Sequence, residues 1–333
     1  MDTIAPAWLW AVFVFAVIVA LFIDFVVLKK QGAHSVTVKE ALNWSIVWVA
    51  ASFAFNGLFW FAVYQDHGAA LANTKSLEFL TGYLIEKSLA VDNIFVFLMI
   101  FTYFAVPPEF QKRVLMIGIV GAIVLRTVMI LVGSWLISEF HWVLYVFGAF
   151  LLVTGVKMWW AASEKPDLEN NRVVRWLRSH VPITPSFHGE RFFVSVEEGG
   201  RLVRYATPLF IVLVLVEVTD LIFAVDSIPA IFAITTDPFI VLTSNVFAIL
   251  GLRAMYFMLA NAITRFHLLH YGLALILVFV GLKMLWLNDA FGGKFPIGWS
   301  LGIIAALLAG SVVASLIVPA PREAEASTDT SST

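Results

Sequence analysis

Two apolar stretches carry acidic side chains where hydrocarbon-facing sequence ordinarily has none. Residues 78–105 contain Glu86, Lys87, Asp92 and Asn93, and residues 207–234 contain Glu217, Thr219, Asp220, Asp226 and Ser227. A carboxylate at the centre of a membrane-spanning helix costs roughly 2.5–3.5 kcal/mol on insertion scales. Five such groups call for a cation or a proton to offset them. Ion pairs with Lys87, Arg126 and Arg253 are the structural alternative. The ligands available at mid-span are carboxylate, amide and hydroxyl oxygens. The chain has no cysteine, and His34, His67, His141, His180, His188, His267 and His270 all fall in loops or at span ends. Zinc and copper are therefore disfavoured, and magnesium, calcium or manganese suits the oxygen set. Met99 and Met258 would add a soft ligand favouring manganese, although a methionine in a membrane helix is usually packing.

The two acidic segments match each other. Ala90-Val91-Asp92-Asn93-Ile94 reappears as Ala224-Val225-Asp226-Ser227-Ile228, which aligns Asp92 with Asp226, Asn93 with Ser227 and Glu86 with Asp220. Glu86 and Asn93 are seven apart, as are Asp220 and Ser227, so each pair shares a helix face. Asp92 and Asp226 are rotated off that face on a straight helix. A kink or unwound turn would bring them back, and Pro229 is the expected cause in the second copy.

The elements that position these residues are membrane helices. Of 333 residues, 61% are apolar or aromatic and 13% are charged, against about 25% charged in a soluble domain; the mean hydropathy is +0.91. A span needs about 20 mostly apolar residues. That rule predicts an all-α, polytopic transmembrane helix bundle of nine spans: 7–28, 41–64, 78–105, 113–137, 141–161, 207–234, 239–261, 268–288 and 297–318. The first span lacks a basic leader and is too long for a signal-peptide core, so it reads as a helix that stays. Ser138 to His141 form the only break between the fourth and fifth.

Two further matches follow the acidic one in order. Val114 to Arg126 returns loosely as Val241 to Arg253, and Gly155-Val156-Lys157-Met158-Trp159-Trp160 returns as Gly281-Leu282-Lys283-Met284-Leu285-Trp286. Each copy holds three helices, 78–161 and 207–288. An odd number starts the second copy from the opposite face, giving an inverted repeat with a substrate site near the midplane. The remaining parts are two N-terminal helices (1–77), a basic cytoplasmic loop (162–206) with a possible small ordered insert, an extra C-terminal helix (289–318) and a disordered tail (319–333). Lys29, Lys30, Lys39, Lys112, Arg113 and the arginines of 162–206 fall on one side, and only Lys75 and Lys294 on the other. That bias places the N-terminus outside and the C-terminus in the cytoplasm.

Other residues have plainer readings. Asp24, near the cytoplasmic end of the first span, is expected to snorkel to the interface, with a place in the cation pathway as the alternative. Asn43, Asn56, Asn245 and Asn261 are expected to hydrogen-bond between helices, and Trp142, Trp159 and Trp286 to anchor at the interface. No phosphate loop, zincin motif or nucleophile elbow is present, which argues against an ATP-driven pump, a membrane hydrolase or any other enzyme. Nothing points to nucleic acid as a partner.

Several stretches resemble the TerC family: Gly82 to Phe97, Phe140 to Phe150, Ala206 to Phe210, Glu217 to Ile231, Thr235 to Phe239 and Ser244 to Arg253. The nearest likeness is to its Alx-type members. The resemblance implies manganese(II) export across a bacterial inner membrane, with links to tellurite resistance and alkaline response. It also implies that Glu86, Asp92, Glu217, Asp220 and Asp226 form the cation pathway; Asn93 and Ser227 join them here from the spacing. The final helix and tail depart from the family's seven-helix core. The partners expected are manganese(II), the lipid bilayer and protons. No resident cofactor is expected. Exporting a divalent cation against 100 mV costs about 4.6 kcal/mol, at about 2.3 kcal/mol per charge, so export needs either a steep concentration gradient or a coupled ion, for which proton antiport is the candidate. A non-transporting scaffold that aids metalation of exported proteins, and a proton or calcium pathway, are the alternatives.

Overall fold

A computed structural model of the chain describes residues 3–31, 37–160, 172–198, 201–260, 268–292 and 295–318. The expected tail, residues 319–333, lies outside the described residues, as does Asn261. The helices α1 (Ala7–Gln31), α2 (Val38–His67), α3 (Ala69–Tyr103), α4 (Pro108–Glu139) and α5 (Val143–Trp160) come first. A short helix α6 (Arg172–His180) and a hairpin of β1 (Phe193–Glu198) and β2 (Arg201–Ala206) follow. Then come α7 (Pro208–Phe232), α8 (Pro238–Leu250), α9 (Leu252–Leu259), α10 (Leu269–Leu282), a π-helical turn Lys283–Leu287, the single turn α11 (Asn288–Ala290) and α12 (Ile297–Ile317).

Local sequence sets the helix starts. Pro108, Pro208 and Pro238 open α4, α7 and α8, where a missing N–H costs nothing. Thr37 accepts the Glu40 N–H at the head of α2, and Asp237 accepts the Phe239 N–H at the head of α8. Asp237 also accepts from the Thr3 hydroxyl and the Ile4 N–H, so the start of the chain and the α7–α8 turn lie on one side of the bundle. Gly68, at φ 82°, turns α2 into α3, a conformation that only glycine adopts freely.

The chain is an all-α polytopic membrane bundle. Seven described helices are long and apolar enough to cross a membrane, and α8 with α9, bent by 42°, makes an eighth. The helix α3 has the length, at 35 residues, but carries Lys75, Glu78, Glu86, Lys87 and Asp92. Large apolar side chains face outward along α1, where Phe15, Ile18 and Phe22 are exposed, and along α4, where Val124 and Val128 are. Such a surface on helices long enough to span a bilayer suits contact with lipid. Trp142, Trp159 and Trp286 are exposed near helix ends, as expected of interface anchors.

The small insert expected within 162–206 is α6 and the antiparallel hairpin. Val174 and Leu177 of α6 are buried against the bundle while Trp176 is exposed. The Phe193 ring lies 4.6 Å from that of Phe210, which pins the hairpin to the first turn of α7.

Two features of the bundle bear on the site. The bend at Gly251 releases carbonyls of α8 from their helical partners, and the Lys87 ammonium donates to one of them, Ala248, at 3.1 Å. A Cβ on Gly251 would stand 2.5 Å from Lys87 Nζ. The other feature is the close crossing of α5 and α10. A Cβ on Gly281 would lie 2.8 Å from both the Gly148 carbonyl oxygen and the Leu152 nitrogen. Because backbone cannot yield as a side-chain tip does, Gly281→Val is expected to cost about 1–3 kcal/mol, read as a lower melting temperature of the solubilised protein. An unchanged melt would contradict the crossing.

Candidate cation site

The acidic faces of α3 and α7 meet α4 at Arg126. Glu86 is 0% exposed and Arg126 1% exposed, so neither charge is screened by water. The guanidinium grips Asp220 with two prongs, Nε to Oδ2 at 3.1 Å and Nη2 to Oδ1 at 2.9 Å. Its Nη1 donates to Glu86 Oε1 and, at 3.2 Å, to the Ser227 hydroxyl. One side chain thus ties together Glu86 and Asp220, the two residues aligned by the sequence match. Planar bidentate geometry of this kind suits arginine and not lysine.

Two amides complete the ring. Asn93 Nδ2 donates to Asp220 Oδ1 at 3.2 Å, and Asn245 Nδ2 of α8 donates to Glu86 Oε2 at 3.0 Å. Each amide turns its nitrogen to a carboxylate, because the reverse would set oxygen against oxygen. The consequence is that Asn93 Oδ1 and Asn245 Oδ1 are buried without a hydrogen-bond partner. Both side chains are essentially inaccessible, at 1% and 0% exposure. Buried acceptors without partners are uncommon and costly.

Glu86, Asn93, Arg126, Asp226 and Ser227 line one cavity of about 30 Å3 together with Leu89, Met158, Phe223 and Leu277. That is room for a body of about water size. Asp226 faces α5, within electrostatic reach of Thr154 and Lys157. Of the kink or unwound turn expected at Pro229, the unwound turn is absent, since α7 is one continuous helix from Pro208 to Phe232. Pro229 removes one backbone hydrogen bond without ending the helix. Asp226 therefore stays rotated off the Asp220–Ser227 face and approaches the site across the cavity.

The other predicted residues are more dispersed. Asp220 is bound to Arg126 and lines a separate small cavity with Val216 and Leu252. Glu217 stands apart, its carboxylate in the space that a Cβ on Gly121 would need and with Oε2 unpartnered. Asp92 falls within α3, but its side chain lies outside what the structure describes. Met99 and Met258 do not line the cavity, whereas Met158 does. Its place in the repeated Gly155–Trp160 motif was the available signal for it. Among the described residues no three of Cys, His, Asp and Glu converge to hold a metal ion alone, because Arg126 occupies the space between Glu86 and Asp220.

Asp24 departs from its expected role. It is buried and paired with Arg253 of α9 at 2.6 Å. An aspartate has one methylene and cannot reach the interface as a lysine does, so the neighbouring helix brings it a cation. Asn56 bonds Ser76 between α2 and α3 at 2.9 Å, as expected; Asn43 is exposed. A larger pocket of about 340 Å3 opens at the other end of α7, lined by His141, Tyr145, Thr235, Thr236, Asn288 and Asp289 among others.

Residues 71–323 match the family model described as integral membrane protein TerC family. The chain belongs to the TerC family of integral membrane proteins. Among its relatives in that family is a protein of Escherichia coli strain K12 named "Putative membrane-bound redox modulator Alx". It is 56% identical over 308 residues, covering 92% of this chain and 94% of the relative. The Photorhabdus laumondii protein of the same name is 51% identical over 319 residues, 96% and 97% of the two chains. An uncharacterized membrane protein of Myxococcus xanthus, STKORF319, is 48% identical over 309 residues, 93% and 92% of the two chains. No solved structure matches the chain.

Proposed function

We propose that this TerC-family chain is a divalent cation transporter that exports manganese(II) from the cytoplasm through a midplane site. The observation that carries the reading is the cavity itself. Glu86 and Asn93 of α3 line it with Asp226 and Ser227 of α7, so two matching segments, with Asn93 and Ser227 at corresponding positions, face one small space with carboxylate, amide and hydroxyl oxygens. Such a donor set takes a hard divalent cation. Met158 on the same wall favours manganese, which tolerates a thioether better than magnesium or calcium does. Nine spans with an inverted pair of three-helix units, 78–161 and 207–288, would set this site between the units, with the pocket beneath His141 and Asp289 as its outer vestibule. The positive-side bias puts that vestibule outside, in a bacterial inner membrane.

The relatives' printed name points to redox modulation. A chain without cysteine cannot act by thiol exchange, so a redox effect would arise through the metal it moves. Proton entry would drive the export, the acids holding protons in one state and the metal in the other.

The test is manganese(II) uptake into inverted vesicles. Wild type is expected to accumulate manganese(II), Asp92→Asn to lose at least about nine-tenths of that flux, and magnesium and calcium to compete weakly. Fluxes indifferent to an imposed pH gradient would remove the antiport. A folded wild type without flux would reject transport and leave the scaffold role for metalation of exported proteins.

A further inference from the structure

Arg126 lies in the middle of the very group of oxygens that a transported cation needs. We propose that its Nη1 end is a tethered competitor, holding on Glu86 and Ser227 the position that the divalent cation takes. The inference rests on the transport reading of the same site.

Three observations lead there. The guanidinium has a half held by two prongs and a half held through one nitrogen. Nε and Nη2 form the two-pronged grip on Asp220, while Nη1 alone reaches Glu86 and Ser227. A small rotation about the Asp220 anchor withdraws Nη1 and leaves the grip intact. Next, the cavity adjoins the Nη1 half, being lined by Arg126, Glu86 and Ser227 together with Asp226 and Asn93. Releasing Nη1 would give an incoming cation Glu86 Oε1, the Ser227 hydroxyl and the Asp226 carboxylate. The last donor is Asn93 Oδ1, which is buried and unpartnered. Finally, charge requires the exchange. A divalent ion entering beside a fixed Nη1 would meet a like charge in a site shielded from water, where such repulsion is strong.

The device solves a problem common to carboxylate sites in lipid. An acid cluster strong enough to strip a cation of water also holds it too long, and once empty it is costly in hydrocarbon. A tethered cation lowers affinity by the fraction of time it occupies the site and re-forms the ion pair as the metal leaves. It also explains why, among the described residues, no three acidic groups converge to hold a metal ion, since a cation of the protein itself stands between Glu86 and Asp220.

The test is manganese(II) binding to purified protein in nanodiscs, with turnover measured in vesicles. Arg126→Gln keeps amide donors but removes the charge. It is expected to bind manganese(II) about ten-fold more tightly than wild type, within the usual range of coupling between two ligands, while turning over more slowly. Arg126→Lys keeps a competing charge and is expected to bind within about three-fold of wild type. Should Arg126→Gln fail to fold, Arg126→Ala supplemented with ethylguanidinium serves instead. There the free cation should raise the apparent Kd for manganese(II) competitively. Unchanged or weaker binding in a folded Arg126→Gln protein, or no competition by ethylguanidinium, overturns the proposal. Absence of manganese(II) binding in wild type is a separate outcome, which rejects the transport reading and this inference with it.

Discussion

Asp220→Asn is expected to lose both transport and stability, and Asp226→Asn to lose transport alone. Asp220 accepts three hydrogen bonds, two from Arg126 and one from Asn93. An amide in its place turns an NH2 group against one of those donors and leaves the guanidinium underpaired in a site closed to water. Removing one partner of a buried ion pair typically costs about 3–5 kcal/mol, so a marked drop in melting temperature should accompany the loss of flux. Asp226 is gripped by no guanidinium among the described residues, lines the cavity, and faces the Thr154 hydroxyl with Lys157 within electrostatic reach. Its amide replacement keeps the shape and most local contacts, so the melt should move by less than about 1 kcal/mol in equivalent stability while manganese(II) uptake falls at least about ten-fold. Thermal unfolding and vesicle flux on the same preparations separate the two. Equal losses of stability would mean that Asp226 is part of the structural ion-pair network. Full flux in Asp226→Asn would remove it from the cation path.

Arg253→Ala carries the second large effect, at a distance from the cavity. Arg253 follows the bend at Gly251 and donates to Asp24 of α1 at 2.6 Å, with Asp24 buried at 4% exposure. This contact joins the N-terminal helix to the bent α8–α9 pair. Truncating the arginine strands a carboxylate among apolar side chains, for about 3–5 kcal/mol. Asp24→Asn combined with Arg253→Gln removes both charges and keeps a hydrogen-bonding pair, so it should recover most of that loss. A double-mutant cycle is the appropriate measurement, since neighbouring effects are not additive. Coupling near zero would show that the pair contributes little. Flux per folded molecule should survive in the double variant, because neither residue lines the cavity.

Much of the molecule was legible in the chain because lipid leaves few options. Long apolar runs in hydrocarbon must satisfy their backbone internally, so they become helices, and the Ser138–His141 break fell where α4 gives way to α5. The acids stood out by their cost alone, and the seven-residue spacing placed Glu86 with Asn93 and Asp220 with Ser227 on shared faces. Family membership was readable from the same segments. Arg126 and Arg253 were named in the sequence as candidate partners for buried acids, and both do pair with one; which acid meets which arginine was not readable, because that depends on how helices distant in sequence are rotated and staggered against one another. Arg126 and Asp220 are 94 residues apart, and Arg253 and Asp24 are 229 apart; no local pattern encodes either encounter. Sequence offered Asp24 as an interfacial group and Pro229 as the cause of a kink or unwound turn. The fold instead gave the aspartate an arginine and left the helix whole, because packing against neighbours supplied the missing partner and tolerated the missing hydrogen bond. The chain alone determined that it is a membrane bundle with two matching acidic segments. Only the tertiary structure decided that one guanidinium stands between them, since helix packing chooses which faces meet.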